Sequence, residues 1–203
     1  MKQTDSEPKG HPTKRYPTIG VCGLDCGLCP RYYTVGASRC PGCGGPDFFH
    51  KHPSCSFITC CVKKKNLEVC GECSDFPCPK FKSGEEYQQL EESSSYPSYK
   101  KVMVNLRFVR EHGIERFVEE QKRRIRLLET MIEGFDEGRS RSFFCKAATL
   151  LDLASLRGSL DEAARRIIRE QIKQDDVRNK ARILKAVLNE FALKDGVELV
   201  RKK

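Results

Sequence analysis

The sequence predicts a small α+β protein in which a cysteine-rich, metal-stabilised module of zinc-ribbon or knuckle type is followed by a C-terminal helical bundle. Three observations predict it. Of 12 cysteines in 203 residues, 11 lie between Cys22 and Cys78. From Tyr99 onward apolar residues recur at helical spacing. Charge divides the same way: residues 1–99 hold 12 Lys and Arg against 11 Asp and Glu, so of the net +9 only +1 belongs to them and +8 to residues 100–203. The chain is read as four parts: a disordered tail over 1–17, a metal-binding module over 18–82, a linker over 83–98 and a basic helical domain over 99–203.

The tail has little apolar surface to offset the entropy of ordering, and it lacks the apolar stretch of a secretory signal. No apolar run in the chain approaches the roughly 18 residues needed to cross a bilayer. These features predict a cytoplasmic protein without membrane contact, in a compartment where thiols stay reduced. Metal ligation then explains the cysteines better than a disulfide framework. The module is rich in turn formers such as Gly23, Gly27, Pro41, Gly42 and Gly71 and poor in large aliphatic residues, so its fold should depend on metal. The linker, SGEEYQQLEESSSYPS, is polar and has room for one short helix.

The bundle is read helix by helix. Val102, Leu106 and Val109 share one face of a first helix that Gly113 stops. Ile114, Phe117, Val118, Ile125, Leu128 and Ile132 line a second, ending at Gly134. A third, from Phe143 to Leu156, is apolar on most sides and belongs at the centre. Ser159 and Glu162 have capping-box spacing, which places the start of a fourth helix there. Asp175 or Asp176 caps a fifth, with Ala181, Leu184 and Leu188 inward and Gly196 beyond its end. Val197 to Val200 alternates weakly and is read as a short strand or an ordered tail.

The cysteines fall into Cys22-x3-Cys26-x2-Cys29, Cys40-x2-Cys43, Cys55-x4-Cys60-Cys61 and Cys70-x2-Cys73-x4-Cys78. Two thiolates separated by two residues can turn onto one metal when Gly or Pro tightens the backbone between them. Cys40-Pro-Gly-Cys43 and Cys70-Gly-Glu-Cys73 have that composition, and each is read as half of a tetrahedral site. The three-cysteine groups point elsewhere: x3 then x2 is the spacing by which radical S-adenosylmethionine enzymes hold a [4Fe–4S] cluster. A radical enzyme is set aside because no repeated strand–helix units follow the motif. Ligand type favours Zn2+, with [4Fe–4S] as the alternative.

Other residues have plainer readings. Cys61 is either an extra ligand or an incidental thiol. His50 and His52 can replace a missing thiolate, although a solvated loop is their default. Cys145 sits in the most apolar helix and reads as core. The runs Lys63-Lys64-Lys65, Lys122-Arg123-Arg124, Arg165-Arg166 and Arg201-Lys202-Lys203 are read as solvated helix faces that together could meet phosphate.

The string Cys22-Gly-Leu-Asp-Cys26-Gly-Leu-Cys29-Pro30, then Cys40-Pro-Gly-Cys43, then Cys70-Gly-Glu-Cys73-Ser-Asp-Phe-Pro-Cys78 resembles an uncharacterised bacterial and archaeal family, domain of unknown function 3795. Asn105-Leu-Arg, Gly113-Ile-Glu-Arg-Phe and Glu119-Glu-Gln-Lys resemble that family's downstream helices. The resemblance implies a small cytosolic protein holding zinc through its cysteines, with no established activity. Carried over by position, the metal ligands it implies are Cys22, Cys26, Cys29, Cys40, Cys43, Cys55, Cys60, Cys70, Cys73 and Cys78.

The leading functional expectation is a metal-binding protein of structural, zinc-dependent fold whose helical half meets a protein partner. Removing metal should then unfold residues 18–82 and leave the helices standing. Alternatives are an iron–sulfur redox or cluster-handling protein and, more weakly, a nucleic-acid-binding adaptor. An enzyme is disfavoured, because no carboxylate or histidine set has catalytic-metal spacing and an all-thiolate zinc site leaves no open position for water.

Overall fold

The computed structural model describes residues 13–52, 55–81 and 99–199. Among them there is no strand, so the predicted α+β class and the zinc ribbon are corrected to an all-helical fold with a loop-built module. The reason is local. A ribbon needs runs of extended, β-branched residues to pair into a hairpin. Here Gly, Pro or Cys interrupts the chain every few residues, and the backbone closes on itself instead: Cys29 N–H donates to the Cys26 carbonyl at 3.2 Å and Cys73 N–H to that of Cys70 at 3.1 Å. Short 3-10 turns result at Cys26–Leu28, Pro30–Tyr33 and Cys70–Glu72.

The regular helices are α1 (Phe48–Lys51), α2 (Ser56–Ile58, continued by a π-helical run Thr59–Lys64), α3 (Val102–His112), α4 (Ile114–Phe135), α5 (Arg141–Leu150), α6 (Leu153–Arg169) and α7 (Val177–Lys194). Gly113 separates α3 from α4 at a positive φ that favours glycine (φ 85°, ψ 157°), as its position after His112 predicts. The third predicted helix is corrected: it ends at Leu150, and α6 begins at Leu153 under the side chain of Asp152, which accepts from Ser155 N–H at 2.6 Å. Ser159 is therefore not a cap. It lies inside α6, and its hydroxyl donates to the Ser155 carbonyl at 2.7 Å. Asp176 caps α7 through Asn179 N–H. Val197 to Leu199 is not a strand; Leu199 is buried in the bundle core, and Val200 lies outside the described residues.

The two halves are not separate objects. One core gathers Leu28 of the module with Leu128, Met131, Phe144, Leu156 and Leu184 of the helices. A second gathers Ile19, Val21, Ile58 and Val69 of the module with Leu106, Val109, Phe117 and Val118. The module has too few aliphatic side chains for a core of its own, so it buries them on α3 and α4, each full burial contributing about 1.5–3 kcal/mol. Contact is backbone-close at two glycines. A Cβ on Gly71 would lie 2.5 Å from the Leu106 carbonyl oxygen, and one on Gly23 would lie 2.6 Å from that of Val102.

The tail boundary moves as well. Residues 13–17 pack onto the module: Lys14 is buried, and the amides of Arg15 and Tyr16 donate to the Glu68 carboxylate at 2.8 and 3.0 Å. The rest of the predicted tail and the 83–98 linker lie outside the described residues. No helix among those described is long and apolar enough to cross a membrane.

Candidate metal centre

Every cysteine is a free thiol. The eleven of the module form three adjoining neighbourhoods, with Cys40 acting on Cys43 and Cys22 on Cys70 across their borders.

The first contains Cys22, Cys26, Cys43 and Cys55. The turn through Gly23–Asp25 brings Cys22 and Cys26 together. Hydrogen bonds from Cys43 N–H to the Pro17 carbonyl (2.9 Å) and from Val21 N–H to Cys43 Sγ (3.5 Å) bring Cys43 beside them. Burial pushes the Cys22 thiol up to about 11, with Cys43 and Cys55 adding to the rise. Burial likewise raises Cys26, with Cys43 and Cys22 adding to the shift, and Cys43, to whose rise Cys55 adds. The Lys14 ammonium opposes the rise at both.

The second contains Cys29, Cys40 and His52. Cys40 Sγ lies 3.2 Å from His52 Nε2. The His52 ring stacks on Phe48 at 4.5 Å, and burial lowers its basicity, which favours the neutral, ligand-competent imidazole. Burial raises the Cys29 thiol, and nearby Cys40 adds to the rise. His50 is not part of this group: it is exposed beside Asp47, 3.7 Å away.

The third contains Cys60, Cys61, Cys70, Cys73 and Cys78, which line one cavity of about 240 Å³. Cys61 donates to the Leu67 carbonyl at 3.5 Å. Its closeness to Cys70 lowers the Cys61 thiol and raises that of Cys70. Lys65 Nζ donates to Cys73 Sγ at 3.0 Å and to Asp75 at 2.5 Å, and Asp75 is the larger cause of its raised basicity.

Cys40-x2-Cys43 and Cys70-x2-Cys73 are thus not two halves of one site. Cys70 and Cys73 face the cavity, while Cys43 and Cys40 belong to adjoining groups. Among the described residues no three His, Cys, Asp or Glu side chains are grouped so as to hold a metal ion as they stand. Cys145 is buried in the bundle core, as its apolar helix predicts.

Polar residues that the cysteine pattern does not reveal hold the module in place. Asp25 is buried; Asn105 Nδ2 donates to its carboxylate and to the Gly23 carbonyl, both at 2.8 Å, and Gln121 Nε2 donates to it at 3.0 Å. Burial raises the Asp25 carboxyl above its ordinary range, against those hydrogen bonds. Glu72 Oε2 accepts from the amides of Glu68 and Val69 at 2.9 and 3.1 Å, closing the Cys70–Glu72 turn. Several basic residues are spent internally: Arg124 donates to the Ala148 carbonyl at 3.0 Å, and Arg166 is paired with Glu162 and Glu190.

Residues 18–83 match the model of a family described as Protein of unknown function (DUF3795), the family that the cysteine string resembles. No curated protein and no solved structure matches the chain.

Proposed function

We propose that the DUF3795 segment of this chain is a metal–thiolate module in which Cys22, Cys26, Cys43 and Cys55 hold a structural zinc ion, with α3 and α4 as the scaffold that carries it. The observation supporting this reading is the gathering of four reduced cysteines from three stretches of chain, Cys43 buried and Cys22, Cys26 and Cys55 half-buried. Burial first, and then the charges of Cys22, Cys43 and Cys55 on their neighbours, resist ionisation of these thiols. Packing such thiols together gains less than packing aliphatic residues and leaves weak donors poorly partnered. A divalent cation reverses the balance, because it takes the four groups as thiolates and releases their protons to solvent. Four thiolates complete a tetrahedral zinc shell, so the ion would organise the loops and leave no position for a reacting water.

The test is zinc analysis of the full chain purified without oxygen. The expected result is about one zinc per chain that survives gel filtration and is lost in Cys43→Ser, with a lowered melting temperature. A chain that folds at the same temperature after exhaustive chelation overturns the reading.

A further inference from the structure

We infer that the cavity bounded by Cys60, Cys61, Cys70, Cys73 and Cys78 is a receptor for a [4Fe–4S] cluster, held by Cys60, Cys70, Cys73 and Cys78. The inference rests on the metal–thiolate reading of the module but concerns a different set of cysteines.

Size argues first. Zinc bonded to four sulfurs at about 2.3 Å fills the space between them. Here five thiols line a cavity of about 240 Å³ together with seven other residues, more than the gap that four sulfurs leave around one zinc ion. A polynuclear cluster needs its ligands spread around a volume of that kind. The wall argues next. Apart from the thiols, one side is aromatic, Phe81 packing on Phe57 and Phe76 with ring centroids 5.1 and 5.3 Å away, and the rest is Pro79 with the charged Lys65, Asp75 and Lys80. The aromatic side limits water at a cluster whose properties depend on solvent exposure. Charge argues last. Four thiolates around a [4Fe–4S]2+ core leave a net −2, and the Lys65 ammonium already donates to Cys73 Sγ at 3.0 Å. A charged N–H···S bond of this kind stabilises a bound cluster and sets its potential. Cys61 is the fifth thiol. Its S–H donates to the Leu67 carbonyl at 3.5 Å, which makes it a neighbour of the cluster in place of a ligand.

Loading is a ligand exchange. A preformed cluster carrying four mercaptoethanol thiolates meets four protein thiols. Four Fe–S bonds to mercaptoethanol break, four to cysteine form, and the protons pass to the departing thiolates with no net electron transfer. The experiment adds that cluster, without oxygen, to the zinc-loaded full chain, and measures iron, sulfide, zinc and visible absorption after gel filtration. One cluster per chain is expected, with the zinc retained. Cys73→Ser and Cys78→Ser should each lower iron retention at least several-fold, while Cys61→Ser keeps the cluster. Should the ligand variants fail to fold, Lys65→Met leaves every thiol in place and is expected to shift the cluster's reduction potential to more negative values. A chain that takes up zinc in the cavity and no iron, or whose iron content is indifferent to Cys73→Ser and Cys78→Ser, overturns the inference while leaving the zinc reading intact. A chain that binds neither metal overturns both.

Discussion

Asp25 shows how one side chain ties the cysteine string to helices outside the matched segment. Its carboxylate sits between Cys22 and Cys29 in sequence and is met from α3 by Asn105 and from α4 by Gln121. Both amides lie beyond residues 18–83, so these hydrogen bonds tie the matched segment to the helices that follow it. Asn105→Leu should therefore destabilise the chain by about 1–3 kcal/mol, because it leaves a buried carboxylate and the Gly23 carbonyl each short of a donor. Asn105→Gln, which keeps the amide at altered reach, should cost less. Equal midpoints for Asn105→Leu and the parent chain in urea denaturation would refute this. Lys14 is the opposite case. Nothing in a polar stretch ahead of the module signals that its ammonium will be buried near Cys26 and Cys43, because tertiary contact alone puts it there.

At the scale of elements, periodicity made the helices legible where one face is polar. The stops at Gly113 and past α7 follow from the sequence for the same reason. It failed between α5 and α6, where apolar residues continue on all sides from Phe143 to Leu156 and hide the break at Leu151. The capping box at Ser159 matched a pattern, but the actual cap is Asp152, whose carboxylate is lowered first of all by the Ser155 amide. The sign of its pH dependence follows. A carboxyl more acidic in the folded chain stabilises it above the carboxyl's unfolded value, and that contribution is lost as pH falls through the folded value. Asp152→Ala should therefore lower stability by about 0.5–1 kcal/mol at neutral pH, and the gap from the parent should close on acidification below pH ~4. A gap independent of pH, followed by thermal melts across that range, would show that the cap is not the cause. The missing strands have a different origin. Cysteine spacing specifies which residues can meet a metal, but says nothing of whether the backbone between them pairs or coils.

At the scale of the whole molecule, the division into a cysteine-rich half and a basic helical half holds for composition and not for packing. Both cores cross it: Leu28 is buried among Leu128, Met131 and Phe144, and Ile19, Val21 and Val69 are buried with Leu106 and Val109. Gly71 is pressed against the backbone of α3 closely enough that Gly71→Ala must push the two apart. On the zinc reading proposed above, loss of the ion would therefore remove one wall of each core. The helices would then expose apolar faces of α3 and α4 at about 25 cal/mol per Å², and separate survival of the bundle is not expected. Chelation of the full chain should lower the melting temperature as a single transition, with helical ellipticity and the exposure of cysteines to a thiol reagent changing together. Two resolved transitions, with cysteines reacting while the helical signal is undiminished, would show that the cores are shared in contact but not in stability.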